Sequence, residues 1–100
     1  MEIVIGRKDN PGAVYIGRPS PLGNPYILQN PRSRSERNLV CDMYEVWFED
    51  RVRAQDPRVM NELRRLYKLA KTQGRLVLGC YCAPKRCHGE TIKQFLERYL

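Results

Sequence analysis

The stretch Arg75-Leu76-Val77-Leu78-Gly79-Cys80-Tyr81 decides the fold class. It is apolar at consecutive positions and follows a glycine, Gly74. A short apolar run of this kind suits a central strand covered on both faces. Just upstream, Asp56-Pro57 opens a helix, with Asp as N-cap and Pro at the first helical position. Val59, Leu63, Leu66, Leu69 and Ala70 recur at helical spacing as its buried face, and Gly74 ends it. Downstream, residues 83–86 form a loop, and a last helix runs from His88 or Gly89 to Arg98. Ile92, Phe95, Leu96 and Tyr99 point inward from it.

The N-terminal part supplies the rest of the sheet. Residues 2–5, Glu-Ile-Val-Ile, read as a short strand, and residues 13–17, Ala-Val-Tyr-Ile-Gly, as a second. Between them, residues 6–12 form a turn rich in Gly, Asn, Asp and Pro. A helix is expected from about Glu36 to Arg53 with Ser35 as N-cap. Leu39, Val40, Met43, Val46 and Trp47 would form its apolar stripe, widened by Tyr44 and Phe48. The expected architecture is α/β: a small Rossmann-like sheet of about three strands flanked by three helices. Residues 1–100 are read as a single domain. A domain of this size has a stability margin of roughly 5–10 kcal/mol.

Composition narrows the function classes. Eighteen Lys and Arg against eleven Asp and Glu give a net charge of +7. That balance points to an anionic partner: a nucleotide, a phosphorylated small molecule or nucleic acid. No apolar run approaches the ~20 residues of a membrane span. The opening MEIVIGRKDN lacks the apolar core of a signal peptide, so a cytoplasmic location is expected. In that compartment Cys41, Cys80, Cys82 and Cys87 are not read as a disulfide framework. The sequence leaves the oligomeric state open.

Two segments carry candidate chemistry. If strands 13–17 and 76–81 are parallel, joined by a helical crossover, their C-terminal ends share one edge of the sheet. Ligands of open α/β sheets bind in the crevice outside such ends. The loops that follow, 17–26 and 80–89, would then converge on one pocket. In the first, Gly17 and Gly23 open unusual backbone conformations, Arg18 offers a fork for phosphate or carboxylate, and Asn24 either reads a ligand amide or ties its own turn. In the second, Lys85 and Arg86 flank a helix start at Cys87-His88-Gly89, an arrangement suited to an anion.

Three readings of the cysteine–histidine segment stand side by side. As an anion or nucleotide site, it makes Cys87 a candidate nucleophile with His88 as partner base, and Gly89 lets a ligand approach the backbone. As a metal site, three thiolates and an imidazole are a legitimate zinc set. Cys80 reads as core, which leaves Cys82, Cys87 and His88 as ligands. The third reading is structural: buried cysteines as small hydrophobes, above all Cys41 and Cys80, with His88 capping the helix.

The blocks Tyr15-Ile-Gly-Arg-Pro-Ser-Pro-Leu-Gly-Asn-Pro-Tyr26 and Leu78-Gly-Cys-Tyr-Cys-Ala-Pro-Lys-Arg-Cys-His-Gly-Glu-Thr-Ile92 resemble a family of small phage and bacterial proteins. That family is catalogued as domain of unknown function number 4326. Its pattern has an Ile-Gly-Arg and Gly-Asn-Pro block, then Cys-aromatic-Cys and Cys-His-Gly. Both blocks match in order, and the likeness spans nearly the whole chain. A weaker likeness links Cys-His-Gly to the Cys-His-Arg block of another uncharacterised α/β family. The resemblance implies a phage or bacterial origin, hence a host cytoplasm if phage-encoded, and no assigned activity. Three functions remain expected alternatives: nucleotide binding or turnover, a non-enzymatic accessory protein binding host protein or nucleic acid, and a zinc-stabilised domain.

Overall fold

The computed structural model describes residues 2–81 and 85–98. The elements run β1 (Glu2–Arg7), β2 (Val14–Tyr15), α1 (Arg34–Arg53), α2 (Pro57–Gln73), β3 (Arg75–Cys80) and α3 (Gly89–Arg98). The three strands form a sheet in the order β1-β3-β2, with β3 parallel to both neighbours. Register places Ile3 beside Leu76, Ile5 beside Leu78, and Tyr15 beside Gly79. The fold is therefore α/β, with the parallel sheet and central 75–80 strand that the sequence pattern suggests.

All three helices pack on one face of this sheet. On β3, Leu76, Leu78 and Cys80 are buried and Val77 is half-buried, and Tyr81, just past the strand's end, is exposed. Leu76 and Leu78 join Ile3, Tyr44, Phe48, Leu63, Leu66, Ile92 and Leu96 in one core. The other face is crossed instead by the connection from β1 to β2, which must pass over β3 to reach the far edge. Gly6 and Gly79 are register partners beneath that crossing. A Cβ on Gly79 would lie 3.0 Å from Lys8 Cα and 3.2 Å from Ala13 Cβ, and one on Gly6 would lie 2.7 Å from Asn10 Nδ2. The paired glycines thus clear a track for the crossing chain.

Helix α2 begins and ends where its sequence signals stand. Asp56 Oδ1 accepts the Arg58 N–H at 3.0 Å, and Gly74 closes the helix with φ 75°. Helix α1 differs from expectation in two ways. Its N-cap is Ser33, whose Oγ accepts the Glu36 N–H at 3.1 Å. Its buried residues are Arg37, Cys41, Tyr44 and Phe48, while Leu39 and Val46 are 57% and 62% exposed. The helix is rotated relative to the Leu39–Met43–Val46 stripe because the aromatic side of Tyr44 and Phe48 buries more area per residue. No helix of the described residues is long and apolar enough to cross a membrane.

Candidate functional site

Strand β2 feeds the first site loop. Ile16 is buried, and its N–H donates to the Gly79 carbonyl at 3.1 Å, so the chain leaves the sheet beside the end of β3. The loop then folds on itself. Ser20 N–H donates to Gly17 O at 2.8 Å, and Gly23 N–H to Ser20 O at 2.9 Å. Leu22 drops into the core, and its carbonyl accepts the Tyr44 hydroxyl at 2.7 Å. Asn24 ties the exit: its Oδ1 accepts the Tyr26 N–H at 2.9 Å and its Nδ2 donates to the Val40 carbonyl at 3.2 Å. Both ends of this amide are engaged in holding the loop against α1.

Tyr44 is the shared brace. Its hydroxyl holds the loop, burial raises its pKa far above the usual phenol range, and its ring meets the His88 ring edge-on at 4.9 Å. Tyr44→Phe should cost about 1–3 kcal/mol, because the Leu22 carbonyl loses its buried donor. A thermal midpoint drop of several degrees is the expected readout at about 4–8 °C per kcal/mol, and an unchanged midpoint would show that the bond contributes nothing.

The second loop is anchored to α1 as well. Arg86 Nη2 reaches Asp42 Oδ1 at 2.8 Å, and Nη1 reaches the Asn38 carbonyl and side chain at 3.3 and 3.2 Å. The Arg86 carbonyl accepts from the Cys41 thiol at 3.9 Å. Arg86 is thus used for attachment, and its hydrogen bond to Asp42 holds its pKa up. His88 is buried, and its Nε2 lies 2.8 Å from the Ile16 carbonyl. A carbonyl only accepts, so Nε2 carries the proton and Nδ1 keeps its lone pair. Burial lowers the His88 pKa, with the Arg18 cation adding to the effect and the Ile16 hydrogen bond opposing it. The imidazole is neutral at physiological pH.

The first amides of α3 are satisfied within the chain. Gly89 N–H donates to Cys87 Sγ at 3.3 Å, Glu90 N–H to Cys87 O at 3.3 Å, and Thr91 N–H to His88 O at 3.1 Å. Gly89 is buried, and a Cβ there would meet Ile16 Cδ1 at 2.9 Å and Cys87 Sγ at 3.2 Å. Its lack of a side chain makes room for these two residues.

A cavity of about 330 Å³ opens where the two loops meet. Of the residues singled out in the sequence, Gly17, Arg18, Asn24, Cys87 and His88 line it. Gly23 stands behind, against the backbone of Arg18. Lys85 and Arg86 line a separate concavity of about 360 Å³ with Arg32, Arg34 and Arg37. Cys82 lies outside the described residues.

The structure adds Tyr15, Tyr26, Arg37, Cys41 and Cys80 to the wall. Arg37 is buried, donates to the Pro31 carbonyl and lines both concavities. Its spacing of four residues from Cys41 and seven from Tyr44 was the signal that placed it on the inner face. Cys80 is buried as expected of a core residue, and its sulfur also gathers with Cys87 and His88, the donor atoms lying within 4.8 Å of one another.

The model of the family described as domain of unknown function (DUF4326) matches residues 4–98. The chain belongs to this family. The match takes in both site loops, all of β2 and β3 and all but the first two residues of β1, so the cavity is built wholly from DUF4326 sequence. Neither a curated protein nor a solved structure matches the chain significantly.

Proposed function

We propose that the cavity binds a nucleotide or a related phosphorylated small molecule. One observation carries this reading: the wall contains two guanidinium groups, Arg18 and Arg37, and three tyrosines, Tyr15, Tyr26 and Tyr81, with no acidic residue among its described members. Guanidinium forks suit phosphate oxygens. Tyrosine rings offer faces for a base, since base–aromatic stacking contributes about 1–3 kcal/mol. A volume of about 330 Å³ sits at the small end of the ~300–1,000 Å³ range for ligand pockets, which favours a mononucleotide over a dinucleotide.

The position also agrees with the general placement of ligands at the C-terminal edge of parallel strands. Anion recognition falls to the arginines, because the first amides of α3 already have acceptors. Cys87 and His88 enter the reading as cavity wall.

Calorimetric titration with a panel of nucleoside mono-, di- and triphosphates tests it. Arg18→Ala should weaken the best binder about 10- to 100-fold, the loss of one charge-assisted contact, with the unfolding midpoint unchanged. Saturable binding that is indifferent to Arg18, or no binding across the panel, would remove the proposal.

A further inference from the structure

The gathering of Cys80, Cys87 and His88 supports a second site that does not depend on nucleotide binding. We propose that these three residues bind a divalent metal ion of the zinc class, with the fourth coordination position facing the cavity. The three donor atoms already lie within 4.8 Å of one another. In a tetrahedral zinc set, bonds of about 2.3 Å to sulfur and 2.0–2.1 Å to nitrogen put donors roughly 3.5–3.8 Å apart. Closing the difference needs shifts of under about 1 Å per side chain, within rotamer adjustment.

The surroundings are those of a ligand set. Cys80 ends β3, while Cys87 and His88 immediately precede α3, so the donors are fixed by separate elements. The residues are 3%, 3% and 7% exposed, so the donor side chains are shielded from bulk solvent. His88 donates its Nε2–H to the Ile16 carbonyl, the kind of partner that orients a metal-bound imidazole and leaves the opposite nitrogen for the ion. Cys87 Sγ accepts the Gly89 N–H at 3.3 Å, a hydrogen bond that holds the sulfur in place. Two soft thiolates and an imidazole select zinc-class ions over magnesium or calcium. Because all three residues line the cavity, the remaining position opens toward its interior, where a water or a ligand atom completes the sphere.

Binding is a matter of coordination: two thiols lose their protons to solvent and two sulfur–metal bonds and one nitrogen–metal bond form. The test uses the full chain, purified under reducing conditions, stripped with a chelator and titrated with Co²⁺ in the absence of nucleotide. One equivalent should bind, with thiolate-to-cobalt charge-transfer absorption and the strong visible bands of a four-coordinate ion, and Zn²⁺ should bleach both. Cys80→Ser, Cys87→Ser and His88→Ala should each lose stoichiometric binding. Cys41→Ser, a wall residue outside the cluster, should keep it. Cys82→Ser is the decisive contrast: binding lost there and retained in the Cys80 and Cys87 variants would overturn the assignment. The wild-type titration stands even if a variant fails to fold. No charge-transfer band, or less than about a tenth of an equivalent retained, would overturn the site outright. Nucleotide affinity tracks Arg18 and metal content tracks the cysteines, so either proposal can fail alone.

Discussion

Truncating Leu22 to alanine should cost about 2–5 kcal/mol, the range for emptying a leucine site in a packed core, and should fall toward its upper end. Leu22 belongs to the loop between β2 and α1, yet it is 0% exposed and packs within the same core as Ile16 and Tyr44. The cost of such a cavity depends on how far the surroundings can collapse into it. Here the backbone is held on both sides. The Leu22 N–H donates to Ser20 Oγ at 3.2 Å, its carbonyl accepts the Tyr44 hydroxyl at 2.7 Å, and the next residue's N–H donates to Ser20 O at 2.9 Å. A loop so tied cannot sink to fill the space. Against a total of roughly 5–10 kcal/mol, the loss takes away a third or more of the stability. Urea unfolding should show a midpoint lower by about 1–3 M at an unchanged m-value. Leu22→Met, which keeps volume, should cost less than about 1.5 kcal/mol. A loss under about 1 kcal/mol for the alanine variant would mean that the loop lies on the core rather than in it.

That Leu22 reaches the core was hidden in the sequence, and the reason is instructive. Pro19, Ser20, Pro21, Gly23, Asn24 and Pro25 surround it, so local pattern marks a loop and says nothing about burial. The regular elements were legible because their signals are local. Asp56-Pro57 and Gly74 bound α2 to the residue, and the apolar run at 75–80 is β3. The convergence of loops 17–26 and 80–89, seen in the described residues Cys80, Tyr81, Cys87 and His88 of the second, was legible too, since parallel strands with a helical crossover leave both C-terminal ends on one edge. Helix α1 was harder. It carries apolar residues on nearly every side, so Leu39, Met43 and Val46 fit a helical stripe as well as Cys41, Tyr44 and Phe48 do. The choice rests on what the other elements offer: the Leu22 carbonyl for Tyr44, the Phe95 ring for Phe48 at 5.5 Å, and the Arg86 carbonyl for Cys41. Its start was misplaced by two residues, although Ser33 and Glu36 have the spacing of a capping box. Glu36 does not turn back to Ser33. Its carboxylate receives the N–H groups of Gln29 and Asn30, drawing the preceding segment onto the helix end. Arg37 and Cys80 entered the site for the same kind of reason. Arg37 reads as surface charge until its spacing from Cys41 and Tyr44 sets it on the inner face of α1, Cys80 reads as core, and tertiary packing gathers both around the cavity.

Gly23→Ala should be damaging in a different way, by forcing the site loop open. An added Cβ would lie 2.7 Å from the Arg18 nitrogen, 2.9 Å from Arg18 Cα and 3.0 Å from the Gly17 carbonyl carbon. All three neighbours are main-chain atoms, so no rotamer change relieves the contact. Overpacking by a methyl in a tight site costs about 1–3 kcal/mol, occasionally more, and a backbone obstacle favours the upper end. The strain falls on the segment that carries Arg18. Nucleotide affinity should therefore drop by at least the 10- to 100-fold expected for Arg18→Ala, although Gly23 itself touches no ligand in the proposed mode. Gly17→Ala supplies the contrast. The obstacle there is the phenol end of Tyr15, a half-buried side chain that can swing aside. That variant should lose less stability and keep the Arg18 backbone in place. Thermal unfolding and the nucleotide titration, run on both variants, separate the effects. Equal losses of stability in the two would mean that the close packing of Gly23 against Arg18 does not hold the loop's shape. A larger loss at Gly23 in both measurements would tie the rigidity of this turn to the placing of its guanidinium.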